Sequence, residues 1–217
     1  MTEKIDLTAF YSLTSGLYLI TSSCGTVSNG CIVNTVTQVT AEPAQIAVAV
    51  NKQNWTREVI EKGGVFTAAV LTEEAGMDLI GAFGFRSGRD ENKFLGFETA
   101  KDCLGVPYVT ENVAAVFSCK VVQQMDLGTH ILFVGEVVEA KKLDSTPPMT
   151  YAYYHKVKKG LTPKTAASYQ PVETETAEEG KSVWKCSICG YEYEGETLPE
   201  GYVCPICGQP ENVFTKL

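Results

Sequence analysis

The chain has 217 residues, with 18 Lys and Arg against 26 Asp and Glu and a formal net charge of −8. This acidity disfavours a phosphate-backbone partner, so no nucleic acid is expected; no apolar run approaches the length of a membrane span, so no membrane is expected either. Eight cysteines, behind an N-terminal stretch without a charged-then-apolar leader, fit a reducing, cytoplasmic setting in which thiols stay free.

In chain order, short apolar and often β-branched runs at 16–23, 45–50, 64–71, 113–122 and 130–138 predict strands. Helical patches are predicted near 55–62, closed by Gly63-Gly64, and near 73–83. Strands dominate and helices are inserted, which predicts a mainly β barrel with helical insertions. No Gly-x-Gly-x-x-Gly follows a strand, so a Rossmann site is not expected. At Val50-Asn51-Lys52-Gln53-Asn54-Trp55-Thr56 a strand passes into a helix, presenting free N–H groups beside Lys52; this suits a phosphate, although Asn54 also serves as a plain N-cap. Arg86-Ser87-Gly88-Arg89-Asp90-Glu91-Asn92-Lys93 reads as a solvated loop when taken alone. His130 and His155 read as structural, and Cys24, Cys31, Cys103 and Cys119 lack metal spacing.

Residues 1–165 make a unit of ordinary domain size, and 166–182, in which Ala166 to Gly180 carry Glu173, Glu175, Glu178 and Glu179 without a base, read as an acidic linker. The third unit, 183–217, holds Cys186-Ser-Ile-Cys189-Gly190 and Cys204-Pro-Ile-Cys207-Gly208. Two Cys-x-x-Cys pairs at this spacing bring four thiolates to a tetrahedron, which selects zinc or iron. Zinc would make a structural ribbon, iron an electron carrier. A glycine after each pair lets the backbone aim N–H groups at the sulfurs, where they tune a redox metal. Trp184, Tyr191, Tyr193, Tyr202 and Phe214 supply an aromatic shell, and three lysines against five glutamates after position 180 argue against a nucleic-acid ribbon.

On these residues, from Trp184-Lys-Cys-Ser-Ile-Cys-Gly-Tyr to Val203-Cys-Pro-Ile-Cys-Gly-Gln-Pro, the C-terminal unit resembles a rubredoxin, with the short insert of the rubredoxin-like tails of rubrerythrins. The resemblance implies one iron held by Cys186, Cys189, Cys204 and Cys207. Upstream, Gly30-Cys-Ile-Val-Asn34-Thr35-Val36-Thr37-Gln38-Val39-Thr40 followed by Pro43, then Leu127-Gly128-Thr129-His130, then Tyr153-Tyr154-His155 with Lys159-Gly160-Leu-Thr-Pro-Lys164-Thr165-Ala166, are similar in order to the flavin reductase-like FMN-binding split-barrel family. Thr129 stands where that family usually has an acid.

This second resemblance implies a homodimer with FMN near the subunit interface. It places Asn34, Thr35, Val36 and Thr37 along the isoalloxazine and Asn51, Lys52, Asn54 and Thr56 at the phosphate and ribityl chain, with Ser87, Arg89 and Lys93 as further candidates. Joined, the two sites imply an NAD(P)H-dependent oxidoreductase that takes hydride from NADH or NADPH onto FMN and passes single electrons through iron to an acceptor such as a flavodiiron protein. No side chain is expected to act as a catalytic acid or base. Two other readings stay open: a flavin or ferric reductase with an incidental metal tail, and a flavoprotein whose zinc ribbon docks a partner.

Overall fold

The computed structural model describes residues 5–158, 160, 162, 166–169, 183–205 and 207–217. Most of the Lys159–Thr165 motif and of the predicted linker, from 170 to 182, therefore lies outside the described residues.

The elements run β1 (Tyr18–Cys24), β2 (Val27–Val33), β3 (Val36–Ala41), β4 (Ala44–Asn51), α1 (Trp55–Gly63), β5 (Val65–Leu71), α2 (Met77–Gly84), β6 (Thr99–Lys101), β7 (Pro107–Val109), β8 (Val113–Asp126), β9 (His130–Lys142) and α3 (Tyr151–Lys156). Three short strands follow, β10 (Val183–Cys186), β11 (Glu192–Glu194) and β12 (Phe214–Lys216). Seven strands pair antiparallel in the order β2-β1-β5-β8-β9-β4-β3.

The period-2 alternation of apolar residues decides how that sheet closes. Ile20, Cys31, Val48, Phe66, Cys119 and Phe133, from six different strands, share one buried cluster. Strands as far apart in the sheet as β2 and β4 meet in it, so the sheet curls round its own core into a barrel. The alternate residues Leu19, Ala69, Leu71 and Val116 face outward into a second cluster, covered by Leu79, Ile80 and Phe83 of α2 and by Met149 and Tyr154 near α3. The split barrel with helical insertions is thus the observed architecture. Among the described residues no helix is long and apolar enough to cross a membrane.

Helix α1 begins at Asn54, whose side chain accepts from the Thr56 N–H (3.1 Å), and ends where Gly64, at φ 67°, donates to the Ile60 carbonyl. Gly63 is needed for a different reason: a Cβ there would stand 2.1 Å from the Ser23 carbonyl oxygen on β1. Gly63→Ala must push α1 off the barrel and is expected to cost roughly 1–3 kcal/mol, read as a lowered urea midpoint.

Helix α2 starts at Met77, later than the patch 73–83 predicts. Thr72 to Ala75 is a turn, closed by Ala75 N–H donating to the Thr72 carbonyl (3.0 Å), and Thr72 N–H is already committed to Asn112 (2.9 Å). Helix α3 had no expectation attached to it, because six residues are too few to display a helical period.

Candidate functional site: a pocket walled by a four-cysteine centre

Strands β11, β10 and β12 make a separate small sheet, and Cys186 is the last residue of β10. Two matching turns carry the four thiols. In each, a left-handed glycine, Gly190 at φ 79° or Gly208 at φ 70°, donates to the first cysteine's carbonyl (2.9 Å in both). The residue after each glycine then aims its N–H at the second cysteine's sulfur, Tyr191 at Cys189 and Gln209 at Cys207, while Ile188 and Cys189 serve Cys186.

All four sulfurs lie within 4.8 Å of one another and are buried. Cys186 and Cys207 Sγ are 3.6 Å apart, Cys189 and Cys204 Sγ 3.4 Å. A metal–sulfur bond of about 2.3 Å sets tetrahedral sulfurs roughly 3.8 Å apart, so the cage fits a four-thiolate ion with little adjustment. S–H donors from neighbouring thiols, that of Cys189 first, hold Cys207 down to about 5, whereas Cys189 is pushed up as their partner and burial pushes Cys186 up to about 11. Four thiols buried together repel one another as thiolates, so they need a cation before all can ionise. Tyr202 and Phe214 (5.5 Å between centroids) and Tyr193 with Tyr202 (4.9 Å) form the shell.

Beside this centre the barrel has a pocket of about 640 Å³, open mouth included. One side is the β2–β3 junction, with Asn34 and Thr35; Thr35 Oγ1 donates to the Ala49 carbonyl (2.9 Å), which fixes the junction against β4. Asn51 at the end of β4, Asn54 at the start of α1 and His130 on β9 form the rim. Ile80 and Gly84 from α2 and Phe85 at its C-terminal cap, with Tyr151 and Tyr154 from α3, form the apolar wall. Ala166 and Ala167 close it, held by Asn34 Nδ2 donating to Ser168 Oγ (2.8 Å), which in turn donates to Tyr151 OH (3.3 Å).

Of the residues expected at a flavin, Asn34, Thr35, Asn51 and Asn54 therefore come together. The others stand elsewhere. Val36 packs against the barrel core and Thr37 is exposed on β3. Lys52 pairs with Asp126 (2.6 Å), and that hydrogen bond holds the Asp126 carboxyl below its usual range. Thr56 is fully buried and accepts from Asn29 Nδ2 (3.2 Å). Ser87 Oγ accepts from the Arg89 N–H (3.2 Å), while Arg89 lies over the Trp55 ring and pairs with Glu58. Lys93 is buried and donates to the carbonyls of Gly30 (3.0 Å) and Phe83 (3.2 Å); burial lowers its pKa and raises that of its neighbour Cys31, each shift opposed by their mutual attraction.

Phe85, Tyr154 and His130 carried no cofactor expectation. His130 is on the rim, its Nδ1 2.9 Å from the Thr129 hydroxyl that replaces the acid, whereas His155 is tied to the Gly160 carbonyl (2.8 Å). Burial chiefly raises the Tyr154 pKa. Phe85 packs both on the barrel's outer core cluster and on the cluster built from the four cysteines. One wall of the pocket is thus also a wall of the metal centre.

A barrel of this topology with a polar rim and apolar wall, next to a four-cysteine cage, defines a flavin-reductase barrel joined to a rubredoxin-type centre. The chain belongs to the flavin reductase like domain family, matched over residues 10–162, and ends in a rubrerythrin, rubredoxin-like domain matched over 184–215. It is 40% identical to the high molecular weight rubredoxin of Moorella thermoacetica over 98% of this chain and 100% of that one. It is 46% identical to the ferric-chelate reductase (NAD(P)H) of Archaeoglobus fulgidus over 76% of this chain and 98% of that one. Among solved structures, the NADH:FAD oxidoreductase of Streptomyces globisporus superposes with a TM-score of 0.60 at 20% identity, covering 69% of this chain and 89% of that one, which supports the fold alone. The chain is an oxidoreductase; its family implies a flavin in the barrel and its C-terminal domain implies iron at the four cysteines.

Proposed function

We propose that residues 1–165 bind FMN in the pocket described above, that NADH or NADPH reduces it by hydride, and that residues 183–217 carry single electrons away through one iron. Flavin, when bound, supplies the conversion from two-electron to one-electron steps. The chain's own residues supply place and insulation. Asn34 and Thr35 present amide and backbone groups to a ring edge, and Asn51 and Asn54 at the mouth of α1 suit a phosphate. Ile80, Phe85 and Tyr154 exclude water. Val36, Thr37, Lys52, Thr56, Ser87, Arg89 and Lys93 stand outside this pocket; of these, Lys93 ties its loop to β2 through the Gly30 carbonyl.

The observation that carries the reading is the shared wall, because Phe85 both lines the pocket and packs on the cluster built from the four cysteines. That contact favours electron transfer within one chain. It also speaks against an incidental tail or a zinc docking module, neither of which would need the cage beside the pocket. The Archaeoglobus relative uses NAD(P)H by its name, which supports the donor. A homodimer is proposed from the exposed apolar side chains Val39, Val122 and Met125 on β3 and β8. The electron acceptor is proposed to be a flavodiiron protein in a cytoplasmic, reducing setting.

Anaerobic titration tests this reading. Each NAD(P)H brings two electrons, flavin takes two and iron one, so full bleaching of both is expected at about 1.5 equivalents per chain. Bleaching of flavin alone, or zinc in place of iron on elemental analysis, would contradict it.

A further inference from the structure

Arg86 follows Phe85 directly and reaches the second knuckle of the metal domain. A methyl built on Gly208 would stand 3.5 Å from its Nε and 3.7 Å from its Cζ. Gly208 is bonded to Cys207, a buried cage sulfur. Pro205 of the same knuckle lines a cleft with Arg86, Asp78, Glu91 and Lys93. Across that cleft Glu91 Oε2 is 3.5 Å from Arg86 Nη1. Lys93 is turned inward to two backbone carbonyls. The guanidinium is thus the cation set against the knuckle, with Asp78 and Glu91 as the opposing charges.

We propose that Arg86 is a charge-sensing contact between barrel and metal domain, favouring the reduced form of the four-cysteine centre and holding that form against the pocket wall more tightly than the oxidised one. The inference deepens the proposed function and rests on iron occupying the cage. Four thiolates with ferric iron carry one formal negative charge, and with ferrous iron two. The step is one electron, supplied by flavin that NAD(P)H has reduced, and no bond forms or breaks. The added charge attracts Arg86 more strongly in a half-buried cleft than it would in water. By linkage, whatever docking adds to the stability of the reduced form, reduction adds to docking. Undocking then lowers the iron potential, so a domain released toward an acceptor is the stronger reductant.

The test is the iron midpoint potential of the full-length protein, followed by absorbance during a spectroelectrochemical titration. Arg86→Gln is expected to lower the potential by the equivalent of about a tenfold bias, about 59 mV for a one-electron couple. Arg86→Lys is expected to recover part of the shift, since it keeps the charge but not the planar fork. Glu91→Gln is expected to raise the potential, and molar salt to shrink all these differences. Unchanged potentials in Arg86→Gln and Glu91→Gln overturn the proposal, as do shifts of one sign in both, which would report structural disturbance instead of charge. The iron signal is read whether or not flavin is bound, so a missing flavin contradicts only the functional reading. A protein with no iron signal overturns both.

Discussion

Cys204→Ala is expected to empty the metal centre and unfold residues 183–217 while the barrel keeps its melting temperature. The reason is the size of the core. The small sheet's buried cluster consists of the four cysteines and Phe214, with Trp184, Tyr191, Tyr193 and Tyr202 only half buried around it. A unit of this size falls below the roughly 40 residues at which a core alone suffices. Metal–thiolate binding of the order of 10 kcal/mol or more exceeds any stability that such a cluster supplies, so losing the metal loses the fold. Iron content should fall from about one per chain to near zero, with the tertiary signal of Trp184 lost. An iron-free domain that still gave dispersed NMR resonances would contradict this.

Ala49→Phe is expected to empty the flavin pocket and leave iron in place. Val48 and Val50 point into the barrel core, so Ala49 between them faces outward, and it lines the pocket. A phenyl ring there fills the proposed ring site without entering the core. The backbone pairing of Ala49 with Leu132 and the hydrogen bond from Thr35 to the Ala49 carbonyl do not require the small side chain. Flavin affinity should fall by at least about 100-fold, equivalent to roughly 3 kcal/mol, and NAD(P)H oxidation with it. Dithionite should still bleach the iron. Unaltered flavin occupancy would mean that the pocket is not the flavin site.

The two sites were unequally legible in the sequence. Cys186, Cys189, Cys204 and Cys207 announce themselves because each ligand pair sits in a single turn, where spacing is geometry. The pocket is assembled from β2, β4, α2, β9, α3 and the segment after it, so no local spacing encodes it. Asn51 and Asn54 were legible as the polar residues of a strand-to-helix step, and Asn34 and Thr35 through the family resemblance; the structure brings the four to one pocket. Phe85 carried no expectation at all, and only its position between two cores gives it a part.

Lys93 illustrates the opposite failure. In sequence it belongs to a charged, solvated loop, yet the loop folds back and two backbone carbonyls of β2 and α2 take up its ammonium. Thr56 likewise reads as a phosphate ligand beside the α1 N-terminus, but it faces inward and accepts from Asn29. Which face a helix-start hydroxyl presents depends on packing against a strand 27 positions away in sequence. The barrel itself was legible from its alternating strands, since the period of apolar residues specifies which side of each strand is buried.

Anaerobic rapid mixing of the oxidised full-length protein with one equivalent of NADH or NADPH tests the central claim most directly. The account predicts loss of the flavin absorbance followed by loss of the ferric absorbance, with the second phase independent of protein concentration, as transfer across a shared wall requires. A ferric signal that persists after the flavin has bleached, or one that decays at a rate proportional to protein concentration, would contradict it.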